Sequence, residues 1–348
     1  MIFFRSPACG GQHPKGYVCR FAAGPMLIDG VLDERAWRAA PWTGDFVDIE
    51  GDARPAPRFR TRVKMLWDTD YLYIGADLQE PHVWATLTKR DTVIFYDNDF
   101  EVFLDPNGDN HQYYEMEINA LNTVWDLFLA TPYRDGGRAR DGWDIAGLKT
   151  AVRIHGTLNN PADTDSGWTV EIAMPWKALG EFARRPAPPN RGDQWRINFS
   201  RVEWQVETAG GSYRKVGGTK EDNWVWSPQG VVDMHQPERW GYIQFGGSGA
   251  KPSAFKPDLS RPAQDALMSV YHAQVGFRKE HGRWATSIGE LSPGPGPGPG
   301  PGTGEKSAFE TPPAVSLTAS GYIATVTIKL PGGKKKTWFV TENSRLWH

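Results

Sequence analysis

Alternation of apolar and polar residues is the dominant pattern between residues 58 and 245. Segments in which every second residue is apolar recur at short intervals, with Gly, Pro, Asn and Asp between them. These segments are RFRTRVKMLWD, YLYIGADL, DFEVFLD, YYEMEINA, TVWDLFLA, LKTAVRIHG, GWTVEIAMP, QWRINFSRVEW and WGYIQF. A repeated period of two is typical of an antiparallel sandwich or barrel. We therefore predict a mainly β fold, a two-sheet antiparallel sandwich.

Helical patterns are few and short. The segment LDERAWRAA predicts one short helix, which Asp33 is placed to cap. The segment PWKALGEFA begins at Pro175, a residue favoured in the first turn of a helix, and predicts two or three turns. We expect both helices to cover the ends of the sandwich.

The pattern changes after Phe245. The linker-like GGSGAKPSAFKPDLSRP is followed by a stretch with apolar residues at near-helical spacing, a Pro-Gly tract, and a tail that predicts two or three strands with Gly332-Gly333 at a turn. We therefore predict a small α+β appendage. The predicted divisions are an N-terminal extension (1–24), the sandwich (25–246), a linker (247–262) and the appendage (263–348) with its Pro-Gly tract (293–302).

Composition narrows the classes of function and location. The chain has 348 residues and a net charge of −2, which gives no electrostatic reason to expect a nucleic acid or an anionic membrane as partner. No apolar run approaches the ~20 residues that span a bilayer. The apolar run at the start of the sequence is too short for a signal peptide. We therefore expect an extracellular or periplasmic location only if the true start lies upstream. Cys9 and Cys19 are compatible with a disulfide and with two free thiols, and the sequence leaves both alternatives open.

Aromatic content is high, with 16 Trp, 11 Tyr and 16 Phe. Large rings are usually buried in a core, so a Trp-rich interior is the simpler interpretation. The same rings at a surface stack on the C–H faces of sugars. Both interpretations remain open at this point.

Acidic residues surround the segment DFEVFLD. Phe100, Val102 and Leu104 are predicted to share one face of the strand, with Glu101 on the other. If this strand pairs with YYEMEINA, Glu101 meets Glu115 or Glu117 on a polar face. Two facing carboxylates at ~5–10 Å are what a glycosidase needs, although any acidic sheet face has the same spacing.

The turn DPNGDN after this strand offers oxygen ligands at Asp105, Asn107 and Asp109 around Gly108. Alternating oxygen donors around a glycine resemble part of a calcium loop, but the twelve-residue EF-hand pattern is absent. A plain turn and a structural calcium site are the two interpretations. The sequence has no nucleophile elbow, dinucleotide-binding fingerprint or phosphate-binding loop, so we assign no catalytic residue.

Six segments in order carry a family resemblance. They are IDGVLDERAW, VKMLWDTDYLYIGADLQEP, DNDFEVFLDPNGDNHQYYEMEINA, GWTVEIAMPWKAL, WRINFSR and PERWGYIQF. Together they resemble a family 9 carbohydrate-binding module, in the wider DOMON-like group of sandwiches, over about residues 25–246. The resemblance implies an immunoglobulin-like two-sheet sandwich that binds sugars between two Trp rings, with bound calcium.

The resemblance also implies a sugar-binding set, which this sequence matches in part. Glu101 agrees with a family glutamate, whereas an arginine position falls on Glu117, beside Asn119, and a glutamine position falls near Ser200, next to Arg201. The first Trp of the clamp falls near Phe95 or Tyr96, with Trp84 close by. The second falls near Met234, with Trp224 and Trp226 just upstream.

The leading functional hypothesis is non-catalytic binding of an oligosaccharide or polysaccharide, accessory to glycan breakdown, with a glycoside hydrolase or a cell-surface complex as partner. One alternative is a haem-binding redox protein, because related DOMON-like sandwiches hold haem through Met, His or Lys; Met234 and His235 are then the candidate ligands. The other alternative is a glycoside hydrolase that acts through carboxylates near Glu101.

Overall fold

A computed structural model describes residues 13–247, 254–291 and 309–348 of the protein. The chain divides into two compact units, each described here by itself. The larger unit spans Pro14–Asn107 and Gln112–Lys256; the described residues of the smaller unit are His13, Gly108–His111 and those within Pro257–His348. The predicted Pro-Gly tract and Cys9 lie outside the described residues. Cys19 is a buried free thiol.

The larger unit is built from strands with a few single helical turns. Its strands are β1 (Gly16–Phe21), β2 (Val47–Asp48), β3 (Thr61–Trp67), β4 (Tyr71–Gln79), β5 (Asp99–Asp105), β6 (Tyr113–Asn119), β7 (Val124–Leu129), β8 (Ala139–Arg140), β9 (Lys149–His155), β10 (Gly167–Pro175), β11 (Gln194–Glu203), β12 (Val206–Ala209), β13 (Ser212–Lys215), β14 (Asp222–Val225) and β15 (Gly241–Phe245). Its helices are α1 (Arg35–Ala39) and α2 (Trp176–Leu179), with 3₁₀ turns at Gly51–Ala53, Ile94–Tyr96, Tyr133–Asp135 and Pro237–Arg239.

Eleven of these strands form one curled sheet in the order β8-β7-β6-β5-β11-β15-β1-β3-β4-β10-β9. β14 joins this sheet by pairing with β11, and β2 pairs with β14. The predicted sandwich-like β fold is confirmed. β1 pairs in parallel with both β15 and β3, and so connects the two halves of the sheet. The strand at Gly16–Phe21 therefore belongs to the sheet, although these residues were predicted to form part of an N-terminal extension.

The core lies between the two halves of the sheet. Phe100, Val102 and Leu104 of β5 are buried in the same apolar cluster as Met65 of β3 and Ile172 of β10. The predicted inward face of β5 is therefore confirmed. Ten of the 16 Trp residues are buried and the other six are half-buried. Most of the aromatic excess thus serves the interior, and few Trp rings remain for a surface role.

The two predicted helices are shorter than their patterns indicate. α1 has Glu34 at its N-cap position without a side-chain capping bond, so the predicted cap by Asp33 is wrong. α2 is a single turn of four residues. Both segments are fixed by packing, with Trp37 and Trp176 buried, rather than by length or capping.

The smaller unit combines helices with a four-stranded antiparallel sheet in the order β16-β17-β18-β19. Its elements are α3 (Arg261–His281), α4 (Ile288–Leu291), β16 (Phe309–Leu317), β17 (Tyr322–Lys329), β18 (Lys335–Thr341) and β19 (Leu346–Trp347). Leu267 and Tyr271 of α3 pack against Val326 and Trp338 of the sheet. Within the described part of the chain, no helix combines the length and apolar content needed to cross a bilayer.

Candidate functional site

The outer face of β5 and β6 carries the acids predicted to meet. Glu101 lies opposite Glu117 in the antiparallel register, and Ser200 of β11 is paired with Glu101 on its other side. One carboxylate oxygen each from Asp99, Glu101 and Glu117 lie within 4.8 Å of one another. The predicted meeting of Glu101 with an acid of β6 on one polar face is confirmed.

This polar face is covered rather than open to solvent. Glu101 is 5% exposed and Glu117 is 2% exposed. The Glu117 carboxylate accepts hydrogen bonds from the backbone N–H groups of Ile94 and Phe95, both at 3.0 Å. The 3₁₀ turn at Ile94–Tyr96 is thereby fixed over the strand, and Glu117 has its partners within the chain.

Asn119 and Ser200, also predicted to contact sugar, are fully buried. The Asn119 amide donates to the Leu87 carbonyl oxygen at 2.8 Å and to Asp97 at 2.9 Å. The Asn119 side chain thus ties the segment before β5 to β6. A sugar-binding role for the two residues stays a prediction.

Burial of the acids changes their titration. Desolvation raises the pKa of Glu101 to about 7. It also raises the pKa values of Asp99, Glu115 and Glu117 well above the usual range, and the Glu101 charge beside them adds to each shift. The carboxyl groups on this face therefore repel one another when they are charged. Each of them favours the protonated form.

Arg201 belongs to a separate buried network. Its guanidinium lies 2.7 Å from a Glu80 oxygen and 2.8 Å from a Glu203 oxygen, with all three side chains at most 3% exposed. The same group stacks 5.2 Å from the ring centroid of Trp224, which is 3% exposed. Arg201 and Trp224 are thus in contact, but inside the protein.

Met234 and Trp226 are buried as well, at 8% and 2% exposure. Trp226 packs in the main core, whereas Met234 packs with Phe103 and Trp240 on the opposite face of the sheet. Neither residue presents a ring or thioether to solvent. The predicted second side of the sugar clamp is therefore part of the interior.

His235, one of the two candidate haem ligands, faces protein groups through both ring nitrogens. Nδ1 lies 2.9 Å from the Tyr113 hydroxyl and Nε2 lies 3.8 Å from a Glu115 oxygen. Burial lowers the pKa of His235 to about 4, so its ring is neutral at pH 7. Haem ligation by Met234 and His235 stays a hypothesis.

The predicted calcium loop follows β5. Asp105 is the last residue of β5 and is fully buried, and Asn107 lies in the turn that follows. The Asp109 carboxylate accepts a hydrogen bond from the His111 N–H at 2.9 Å. Calcium binding at this loop stays a prediction.

Exposed rings lie at the end of the sheet, near the predicted first side of the clamp. Tyr96 is 56% exposed, and its ring centroid is 5.0 Å from that of half-buried Phe95. Trp204, half-buried just after β11, donates its Nε1–H to the Phe95 carbonyl oxygen at 2.8 Å. Lys215 lies over the Trp204 ring, 3.4 Å from its centroid, whereas Trp84 beside them is buried.

A cleft of about 410 Å³ lies against Trp204. Its lining residues include the aromatic Phe59 and Trp204 and the polar Arg58, Glu80, His82, Glu203 and Gln205. We call it the Trp204 cleft. A volume of this order, with rings on the walls and a few polar groups, is typical of small-ligand sites. Our sequence reasoning missed its residues, although a tryptophan just past a strand end was a usable signal.

A Trp-rich β-sandwich with a ring-lined cleft at the end of its sheet belongs to the class of ligand-binding sandwich modules. A family model described as carbohydrate family 9 binding domain-like matches residues 28–244. The chain therefore belongs to this family, and the resemblance seen in the sequence is confirmed.

The curated relatives are larger proteins. The exoglucanase XynX of Acetivibrio thermocellus is 25% identical over 213 residues, 60% of this chain and 17% of the relative. An endo-1,4-beta-xylanase A of Thermoanaerobacterium saccharolyticum is 29% identical over 199 residues, 56% of this chain and 15% of the relative. The chain thus spans less than a fifth of the length of these relatives.

The solved structures that match this chain include two of a family 9 carbohydrate-binding module from Caldicellulosiruptor kristjanssonii. One is a complex with cellotriose, with a TM-score of 0.43 and 17% identity, covering 70% of this chain and 100% of that one. The other is a complex with glucose, with a TM-score of 0.42 and 16% identity, covering 69% and 100%.

Proposed function

We propose that the protein binds carbohydrate without cleaving it, and that the Trp204 cleft contacts the sugar. Membership in the carbohydrate family 9 binding domain-like family is the observation that carries the binding function. The proposal for the cleft rests on its lining. Aromatic rings cover the apolar face of a sugar, while a few oriented polar groups bond its hydroxyls.

A second cavity, of about 590 Å³, is the alternative location. It is lined mainly by charged side chains, among them Glu50, Arg54 and Lys220, and the one Trp on its wall, Trp224, is buried. The Trp204 cleft is smaller but offers two half-buried rings beside five polar residues, of which Glu80 and Glu203 are already paired with Arg201. That combination suits a neutral, amphipathic sugar better.

The glycoside hydrolase alternative requires a sugar between two carboxyls. In a hydrolase these groups lie ~5–10 Å apart, and the bond to be cleaved lies between them. Oxygens of Glu101 and Glu117 lie within 4.8 Å, and both side chains are buried under the turn at Ile94–Tyr96. This geometry argues against a hydrolytic role for Glu101 and for a purely binding function.

The relatives suggest which polymers to test. Their names describe a glucanase and a xylanase, so we propose β-linked glucose or xylose chains as ligands and an accessory role in glycan breakdown. A hydrolase or a cell-surface complex would then be the protein partner.

The test is calorimetric titration with cello- and xylo-oligosaccharides, supported by depletion on the insoluble polymers. We expect a Kd on the order of millimolar to micromolar, which corresponds to about −4 to −8 kcal/mol. Trp204→Ala should weaken binding about tenfold, since it removes a stacking ring and a wall of the cleft. His82→Ala, at an exposed lining position, should weaken it less.

Matched controls separate the cleft from general effects on folding. Trp42 is half-buried under Arg62 and Lys64, and His155 is exposed on β9; neither lines the Trp204 cleft. Trp42→Ala and His155→Ala should leave affinity unchanged. Equal losses in the control and cleft variants would rule out the cleft as the binding site, and no binding to any glycan tested would rule out the function.

A further inference from the structure

A lysine ammonium lies among aromatic rings beside the Trp204 cleft. Lys215 is the last residue of β13, and its Nζ lies 3.4 Å from the ring centroid of Trp204. The ring centroids of Tyr96 and Trp84 lie 5.7 Å and 6.0 Å from the same atom. A cation within about 6 Å of the face of an aromatic ring is attracted to that ring. The three rings therefore hold the ammonium in one place.

Lys215 adjoins the cleft through two of its neighbours. Its partner across the β12–β13 hairpin is Val206, and the next residue along the chain is Val216. Both valines line the Trp204 cleft, as Trp204 itself does. Because the ammonium lies 3.4 Å from the centroid of that ring, a ligand that contacts Trp204 from the cleft lies close to the ammonium as well.

The charge of Lys215 has no direct partner in the protein. Within the described part of the chain, Lys215 forms no ion pair, and its ammonium donates no hydrogen bond. Burial lowers the pKa of Lys215, and the charges of Asp97 and Glu221 raise it, but neither acid forms an ion pair with it. The aromatic rings carry no net charge, so they fix the ammonium without neutralising it.

The Arg and Glu side chains that line the cleft provide a contrast, because they already have charged partners. The guanidinium of Arg58 lies 2.7 Å from a carboxylate oxygen of Asp222. Glu80 and Glu203 both pair with Arg201, at 2.7 Å and 2.8 Å. The ammonium beside the Trp204 ring is thus a positive charge that a ligand can pair with and need not take from another residue.

The fixed position of the ammonium favours an anionic ligand group. A lysine side chain loses rotamer freedom when a ligand orders it, and this loss weakens binding. The rings already restrict Lys215, so a ligand that pairs with it avoids part of that loss. Hydrogen bonds between an ammonium and a carboxylate are also among the stronger ones that side chains form. A carboxylate is therefore the ligand group that fits this position.

Uronic acids are the sugars that carry a carboxylate on the ring carbon chain. We propose that Lys215 determines specificity in the Trp204 cleft, by pairing with the carboxylate of a uronic acid in the bound glycan. A xylose chain with glucuronic acid side groups has the required chemistry, since its neutral units suit the cleft and its carboxylate suits the ammonium at the margin. This inference rests on the proposed function, because it assigns the kind of sugar to the same cleft.

The experiment compares two xylo-oligosaccharides that differ only in one glucuronic acid substituent, by calorimetric titration at pH 7. We expect the acidic ligand to bind about three- to tenfold more tightly than the neutral one at low ionic strength, as for a partly exposed ion pair. In about 1 M NaCl the ratio of the two Kd values should approach one, because salt screens the charges. Oligogalacturonate and its methyl ester repeat the comparison on a second backbone. Absence of a preference for the acid in both pairs overturns the proposal.

Variants assign the preference to one side chain. Lys215→Met keeps an unbranched side chain against Trp204 but removes the charge, so the ratio of the two Kd values should fall to about one. Lys215→Gln repeats the test if Lys215→Met does not fold, and Lys215→Arg should retain the preference. Lys220→Met is the matched control, because Lys220 is exposed and lines the other cavity; it should leave the ratio unchanged.

The outcomes separate this inference from the proposed function. A preference for the acid that is lost in Lys215→Met and kept in Lys220→Met supports the role of Lys215. A preference that survives in Lys215→Met overturns it. If the neutral oligosaccharide binds and the acidic one binds no more tightly, the role of Lys215 is overturned and the proposed function stands. If no glycan binds, both are overturned.

Discussion

Arg201 forms ion pairs with two buried carboxylates, and replacing it tests how this end of the sheet is stabilised. Its nitrogens lie 2.7 Å from Glu80 and 2.8 Å from Glu203, and they donate to the Gln79 carbonyl oxygen at 2.8 Å and the Thr61 hydroxyl at 3.1 Å. The perturbation is Arg201→Met, which keeps an unbranched side chain against Trp224 but removes the charge.

The expected loss follows from the burial of both partners. Removing one member of a buried ion pair costs about 3–5 kcal/mol, because the remaining charge is left without compensation. Here two carboxylates, 2% and 3% exposed, lose their cation together. We therefore expect the free energy of unfolding to fall by about 3–5 kcal/mol at pH 7.

The loss should depend on pH with a definite sign. Burial already raises the pKa of Glu203 well above 4.5, and the Arg201 charge opposes that shift. Without Arg201 the folded-state pKa rises further. A carboxyl with a raised folded-state pKa stabilises the protein below its unfolded value, and this contribution is lost as pH rises through the folded value. Stability of the variant should fall by about 1.4 kcal/mol per pH unit per carboxyl above pH 4.5.

Urea unfolding followed by Trp fluorescence at pH 5 and pH 7 measures both effects. The control is Arg60→Met, since Arg60 forms an exposed 3.0 Å pair with Asp77 that Arg62 also contacts. Exposed pairs contribute less than about 1 kcal/mol. If Arg201→Met loses no more stability than Arg60→Met, or loses equally at both pH values, the two buried carboxyls do not depend on Arg201 and the reasoning is refuted.

Three further predictions concern other parts of the larger unit. Glu171 accepts bonds from the Trp37 indole and the N–H groups of Asp29 and Gly30, at 2.9 to 3.1 Å, so Glu171→Ala should cost about 3 kcal/mol in thermal unfolding. Because burial raises the pKa of Glu101 to about 7, the protein should lose stability from pH 4.5 to above pH 7, and Glu101→Gln should remove up to about 3 kcal/mol of that loss. Gly167 has φ of +138° and a Cβ there would lie 2.0 Å from a carbonyl oxygen of β4, so Gly167→Ala should lower Tm far more than Gly210→Ala, where the space is open.

The strand faces could be predicted because alternation is a local property. β5 and β10 begin and end at the residues that their patterns indicate, and Glu101 and Glu117 meet because side chains alternate across paired strands. The parallel position of β1 could not be predicted in this way. Its partner β15 is more than two hundred residues away, and no local pattern specifies such a long-range pair.

Accessibility of the polar face was also beyond local patterns. A polar residue opposite a core face is expected to meet solvent, but in β5 and β6 that face is covered by other segments. The turn at Ile94–Tyr96 bonds to Glu117, and Met234 packs with Phe103 on the same outer side of the sheet. These segments come from the loops before β5 and before β15, so their positions depend on tertiary packing that one strand does not encode.

The same covering segments explain why the exposed and half-buried rings of Tyr96 and Trp204 lie at the end of the sheet. Trp204 follows the last residue of β11, and its indole N–H donates a hydrogen bond to the carbonyl oxygen of Phe95 in the covering turn. One side of the ring is occupied by Lys215, which is not among the residues that line the cleft. A covered acidic face and an exposed aromatic end of the sheet are thus two consequences of one turn, at Ile94–Tyr96.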